Sequence, residues 1–133
     1  MRRSNGDRIT VWRGEADVGE VWVVKTGVGP ARAAAAAAQI DLAACALVVS
    51  TGCAGGLAPT LRAGDLVVAS AVESEDAIHP TDPATRAQLH ALATAGGLPM
   101  REGVMRCSAT MLASRADKHA AAAGGALAVE MEG

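Results

Sequence analysis

Two short runs in this chain, Val21–Lys25 (VWVVK) and Ala46–Ser50 (ALVVS), are apolar at nearly every position. A strand with one wet face alternates apolar and polar residues, so runs without alternation are expected to be strands covered on both faces. The cover on offer is made of small residues: alanine fills 31 of the 133 positions, and the stretch Pro30–Cys45 is almost wholly alanine. Alanine is the best helix former and proline suits a first helical turn, so this stretch predicts a helix that can sit close against a sheet. A second helix is expected over Asp82–Ala95, with Asp82 as cap, Pro83 behind it, an apolar stripe at Ala84, Ala87, Ala91, Leu92 and Ala95, and Gly96-Gly97 as its stop. Ser114–Ala123, closed by Gly124-Gly125, predicts a third.

Further strands are expected at Arg8–Arg13, Asp65–Ser70, Gly103–Cys107 and Ala126–Met131, the first joined to Val21–Lys25 by a hairpin over Gly14–Gly19. The resulting order, β-β-α-β-β-α-β-α-β, predicts an α/β fold with a central mixed, mostly parallel sheet flanked by helices. One domain over 1–133 is expected, with residues 1–7 disordered. The alanine runs at 33–38 and 120–123 fit buried helices better than tails.

Composition removes several classes of function. There is no Phe or Tyr, and only Trp12 and Trp22 are aromatic, so base-stacking platforms are poorly supplied. Twelve Lys and Arg stand against fourteen Asp and Glu, a net charge of −2, which leaves no basic footprint for a nucleic-acid backbone. Cys45, Cys53 and Cys107 are widely spaced and odd in number, and the expectation is reduced thiols in a cytoplasmic protein. Met1–Asp7 has no apolar run behind its arginines, so no signal peptide is expected, and the apolar stretch Ala31–Ala58 is interrupted by Arg32, Gln39 and Asp41, so no membrane span is expected. His79, His90 and His119 have no metal-ligand spacing, and no metal is expected.

Three segments could carry chemistry. Thr26–Arg32 (TGVGPAR) follows a strand and opens a helix, but Arg32 stands where a dinucleotide fingerprint needs its third glycine and no Gly-Lys-Ser/Thr follows; an anion at the helix start and a plain glycine turn both remain open. Thr51–Leu57 (TGCAGGL) follows ALVVS directly, and four of the six residues from Gly52 to Leu57 are Gly or Ala. At the carboxyl end of a strand in an α/β sheet, such small residues let the backbone approach a ligand. Finally, Glu130 and Glu132 in Val129–Gly133 (VEMEG) fall on one side of an expected strand and Met131 on the other. A carboxylate can accept two hydrogen bonds side by side, which suits the vicinal hydroxyls of ribose, although solvated acids at a chain end would read the same way.

Together these segments resemble the nucleoside phosphorylase and nucleosidase superfamily, which includes purine and uridine phosphorylases and methylthioadenosine/adenosylhomocysteine nucleosidase. Val24–Ala36 is similar to its second strand and glycine turn, Val48–Val68 to its most distinctive stretch, and Ala126–Gly133 to its VEME ribose motif. His79–Leu89 and the short loop after Cys107 look closest to the hopanoid-associated phosphorylase branch. The resemblance implies cleavage of the N-glycosidic bond of a purine nucleoside, with phosphate or water attacking the anomeric carbon as the sugar gains oxocarbenium character. It implies that Gly52 and Cys53 face the phosphate or water, that Ala54, Gly55, Met111 and Leu112 line the base pocket, and that Met131 packs under the sugar. Glu132 would bind the ribose hydroxyls and Glu130 would support it. No cofactor is implied beyond phosphate as co-substrate; a homo-oligomer is.

The chain also departs from the family pattern. Phosphorylases commonly carry serine where Cys53 stands and arginine where Ser50 stands, and both changes lean toward water or another acceptor as nucleophile. The family's first strand has no counterpart before Arg8, and the strand bearing the acid that protonates the purine would follow Gly133. The resemblance therefore implies a phosphorylase-like fold incomplete at both ends. An inactive nucleoside-binding fragment is the alternative to an enzyme.

Overall fold

A computed structural model describes residues 2–5 and 9–131. The chain divides into two compact units, Met1–Ser50 and Thr51–Met131.

The first unit is a three-stranded antiparallel sheet followed by a helix. Strands β1 (Arg2–Asn5), β2 (Thr10–Ala16) and β3 (Gly19–Lys25) are neighbours in that order. The β2–β3 hairpin is tighter than the sequence implies: Ala16 pairs with Gly19, and Gly19 takes φ +108°, which a side chain would disfavour. Arg13 and Trp22 are register partners, and the guanidinium lies 3.8 Å from the indole centroid. Helix α1 spans Pro30–Ala37, with Pro30 in its first turn and Ala36 fully buried. It is half the length expected from the alanine run. Beyond it the Gln39 amide donates to the Ala35 carbonyl, and a single 3-10 turn at Leu42–Ala44 follows a tight turn at Asp41, where the Leu42 N–H donates to the Ile40 carbonyl at 2.9 Å.

Ala46–Ser50 corrects the sequence reading more sharply. It is no strand of either sheet, and Leu47, Val48 and Val49 are 59%, 60% and 57% exposed. Its composition predicts burial on both faces, whereas all five of its residues are exposed.

The second unit holds a five-stranded mixed sheet in the order β4-β8-β7-β5-β6. Its strands are β4 (Gly55–Gly56), β5 (Leu66–Glu73), β6 (Ile78–Pro80), β7 (Met100–Cys107) and β8 (Ala128–Glu130). β5, β7 and β8 run parallel, and β4 and β6 pair antiparallel at the two edges. Two helices make the crossovers between the parallel strands: α2 (Pro83–Ala95) between β5 and β7, and α3 (Arg115–Ala122) between β7 and β8. The α/β fold with a mixed, largely parallel sheet is as the sequence predicts. The side chains buried here are small, namely Ala93, Ala121, Ala126 and Ala128, which lets backbones pack closely but leaves little apolar volume per residue.

Both crossover helices start where their cap residues indicate. Asp82 accepts hydrogen bonds of 2.7 Å from the Thr85 N–H and hydroxyl. α2 is then tied to β7 by a shared carboxylate: Arg86 Nε lies 2.9 Å from Glu102 Oε1, and His90 Nε2 lies 2.9 Å from Glu102 Oε2. Arg86 also donates to the Thr81 carbonyl at 2.6 Å, so the start of the helix and the strand beside it share one cation.

α3 opens with a reciprocal capping box, in which Ser114 Oγ accepts from the Asp117 N–H at 3.0 Å and Asp117 accepts from the Ser114 hydroxyl at 2.6 Å and its N–H at 3.2 Å. Ser114→Ala is expected to lower stability by about 1 kcal/mol, read by urea denaturation; an unchanged midpoint would contradict this role. The Ser114 hydroxyl and backbone N–H hold the Asp117 carboxyl below its ordinary value, as the Thr85 hydroxyl and N–H do for Asp82. A carboxyl depressed on folding contributes its full stabilisation above the unfolded value of 3.8 and loses it as pH falls from there through the folded value. The amide resonances of Thr85 and Asp117 are therefore expected to titrate below pH 3.8, not above it.

Candidate functional site

The glycine-rich stretch and the VEME segment, far apart in sequence, become direct neighbours in the second unit. Gly55 pairs with Val129 and Gly56 with Ala128, and the N–H groups of Leu57 and Ala58 both donate to the Leu127 carbonyl, at 2.9 and 3.1 Å. Glycine suits this approach: a Cβ on Gly55 would stand 3.2 Å from Val129 Cγ1, and the valine would have to give way slightly to admit it. On the other side of β8, Glu130 is the register partner of Cys107, and the Ser108 N–H donates to the Glu130 carbonyl at 2.9 Å. The ends of β7 and β8 and the short edge strand β4 therefore form one continuous hydrogen-bonded surface.

A cleft of about 320 Å³ opens at the carboxyl ends of β5 and β7, where open α/β sheets bind their ligands. Arg106, Cys107, Ser108 and Thr110 line it from the end of β7 and the loop beyond, together with Leu112. Glu75 closes the β5 side, and Asp117, Ala120 and Ala121 of α3 form a wall. Small residues on that helix leave the space open. The loop holds its own shape, with the Ser108 hydroxyl donating to the Thr110 carbonyl at 2.7 Å. Arg106 brings a cation, Cys107 a thiol, and Ser108 and Thr110 hydroxyls, a set suited to a polar ligand with hydrogen-bond acceptors.

The expected site residues fall into three groups. Gly55, Glu130 and Met131 lie on or beside the β4–β8 pairing, with Glu130 and Met131 half-buried. Leu112 lines the cleft, whereas Met111 beside it is 76% exposed and does not. Gly52, Cys53 and Ala54 lie in an exposed, irregular segment before β4. Glu132 lies outside the described residues. The sequence reading singled out neither Arg106 nor Ser108 nor Thr110 for the site, although all three follow from the rule that ligands sit at strand carboxyl ends once β7 is recognised as a central strand. His79 lies on edge strand β6 and is exposed, while His90 is engaged with Glu102. Among the described residues, no cluster of three or more His, Cys, Asp or Glu could hold a metal, and no helix is long and apolar enough to cross a membrane.

Comparison with solved structures finds the same architecture repeatedly. A Helicobacter pylori MTAN mutant with 5′-methylthioadenosine in its active site superposes with a TM-score of 0.90 at 21% identity, over 99% of this chain and 65% of that one. A Helicobacter pylori futalosine hydrolase mutant gives 0.89 at 21% identity, over 99% and 69%. The 5′-methylthioadenosine/S-adenosylhomocysteine nucleosidase of Neisseria meningitidis, in complex with methylthio-immucillin-A, gives 0.86 at 23% identity, over 99% and 66%. This chain thus spans about two thirds of the length of these structures. The family model described as the phosphorylase superfamily matches residues 2–133, and with the glycine stretch, the β8 motif and the shared fold it places this chain in the phosphorylase superfamily.

Proposed function

We propose that the chain belongs to an enzyme cleaving the N-glycosidic bond of a purine nucleoside, by phosphorolysis or hydrolysis, in nucleoside metabolism, salvage or hopanoid side-chain maturation. One observation carries the reading: the antiparallel pairing of Gly55–Gly56 with Ala128–Val129, which sets a side-chain-free backbone edge beside the strand leading into Met131 and Glu132. In this reading Met131 packs under the sugar and Glu132 accepts hydrogen bonds from the two ribose hydroxyls, with Glu130 in support. Ala54, Gly55, Met111 and Leu112 face the base, and Gly52 and Cys53 face the nucleophile. A carboxylate held on the ribose also favours the positive charge that develops on the sugar as the base departs. The setting is cytoplasmic, the assembly a homo-oligomer, and the co-substrate is phosphate in the phosphorolytic case and water in the hydrolytic one.

A second reading is a nucleoside-binding fragment without turnover. One experiment separates the two. Release of free base from a panel of purine nucleosides, with and without phosphate, is expected for the enzyme, together with nucleoside binding by calorimetry. Binding without release selects the second reading, and absence of both rejects the two together.

A further inference from the structure

Strand β5 changes register partway along β7: Ala69 is the partner of Gly103, but Ala71 and not Ser70 is the partner of Val104. Ser70 is therefore an extra residue, a bulge in a parallel pair, where bulges are rare. Its effect reaches the cleft. Register partners in a parallel pair share one face of the sheet, so the bulge sets Glu73 beside Arg106, the cation of the cleft. An unbroken register would put Val72 there and turn Glu73 to the opposite face. A second observation agrees. Glu73 Oε2 lies 3.9 Å from where a Cβ on Gly124 would stand, just past α3, the helix that walls the cleft.

A bulge frees backbone carbonyls from the ladder, and Thr81 takes them up. Its hydroxyl donates to the Ala69 carbonyl at 2.5 Å and lies 3.2 Å from the Ser70 carbonyl, to which its N–H donates at 3.1 Å. Thr81 is in turn held by Arg86, which donates to the Thr81 carbonyl and, through Nε, to Glu102 of β7. Glu102 is the register partner of Val68, just before the bulge. The bulge is thus fastened to β7 through α2.

We propose that Thr81 is a positioning residue of the cleft: by holding the bulge at Ser70 it sets Glu73 beside Arg106 and so fixes how the guanidinium is presented to a ligand. A carboxylate neighbour restrains a long cationic side chain in advance, which lowers the ordering cost when a ligand arrives. Thr81 acts through Arg106 and touches no ligand itself. Its effect on nucleoside affinity rests on the function proposed above; the placement of Glu73 beside Arg106 does not.

Nuclear magnetic resonance of the Arg106 Nε–H group in the full 133-residue chain tests it, because that signal reports the surroundings of one guanidinium. Glu73→Gln is expected to shift the signal in the parent and in Thr81→Ser, which keeps the hydroxyl. In Thr81→Val, which keeps the shape and loses the hydroxyl, Glu73→Gln is expected to shift it no more than about half as far. The amides of Ala71–Glu73 are expected to exchange about tenfold faster in Thr81→Val, while those of Met100–Glu102 stay protected and show that the chain is folded. Thr81→Ala is the second variant, with the same expectations. By calorimetry, a purine nucleoside is expected to bind Thr81→Val about tenfold more weakly than the parent, with Thr81→Ser recovering most of the loss. A Glu73→Gln shift absent from the parent, or equal in Thr81→Val, would overturn the proposal, as would equal nucleoside affinities of parent and Thr81→Val. A parent that passes the resonance test and binds no nucleoside would reject the nucleoside reading and support the role of Thr81.

Discussion

Gly103→Ala is expected to destabilise the second unit by about 1–3 kcal/mol, the range for overpacking a formed core. Gly103 lies in the middle of β7, opposite Ala69 of β5. A Cβ there would come within 2.5 Å of Leu127 Cδ1 and 2.6 Å of its Cγ. The Cγ is not a free end that swings clear, and the Leu127 backbone is held on two sides. Its N–H donates to the Val104 carbonyl at 2.8 Å, and its carbonyl accepts from Leu57 and Ala58. The leucine must change rotamer, or β8 must move away from β7 and take the β4 pairing with it. The conflict is one of space, because Gly103 is not among the glycines with positive φ. Urea denaturation reads the loss directly. Leu127→Ala in the same background should recover part of it, with a coupling of about 0.5–3 kcal/mol in a double-mutant cycle. A Gly103→Ala chain as stable as the parent, or losses that merely add, would show that β7 and β8 are not packed this closely.

Glu132→Gln is expected to weaken nucleoside binding by about 10- to 100-fold, since hydrogen bonds to a charged group contribute about 1.5–3 kcal/mol. The substitution preserves shape, removes the charge and puts a donor where one of the two acceptor oxygens stood, so the two ribose hydroxyls can no longer donate side by side to two oxygens. The sharper measurement uses a 2′-deoxynucleoside. With one hydroxyl gone from the ligand, parent and Glu132→Gln should differ far less than they do for the ribonucleoside. Equal losses with both ligands would mean that Glu132 acts on the fold or the field of the site and not on the sugar hydroxyls. Equal affinities of parent and variant for the ribonucleoside would remove Glu132 from the site.

The helices of the second unit were legible because their signals are local. Asp82-Pro83 and Ser114 mark starts through hydrogen bonds that span three residues, and Gly96-Gly97 and Gly124-Gly125 follow the stops. Strand β5 was legible from its valines, β7 and β8 from shorter apolar runs, and the family from the Thr51–Leu57 and Val129–Gly133 motifs. Edge strands were not. β4 is two glycines with no strand propensity, and it exists because Val129 and Ala128 offer it a partner. β6 reads as loop, Ile-His-Pro, and is held by pairing with Ala71–Glu73. The α1 helix was read too long because alanine content says how readily a helix propagates and not where tertiary contacts stop sustaining it.

What this sequence determined alone is the crossover helices and parallel strands of the second unit, and the family. Caps, turns and apolar runs act over a few residues, so their physics is written where they occur. Tertiary structure alone decided which of those elements touch. It brought a pair of glycines beside β8, gathered Arg106, Ser108 and Thr110 around a cleft, and left Ala46–Ser50 exposed despite a composition suited to a core. Burial is a property of neighbours, and a run of valines fixes how much it would gain from being covered, not whether anything in the same chain arrives to cover it.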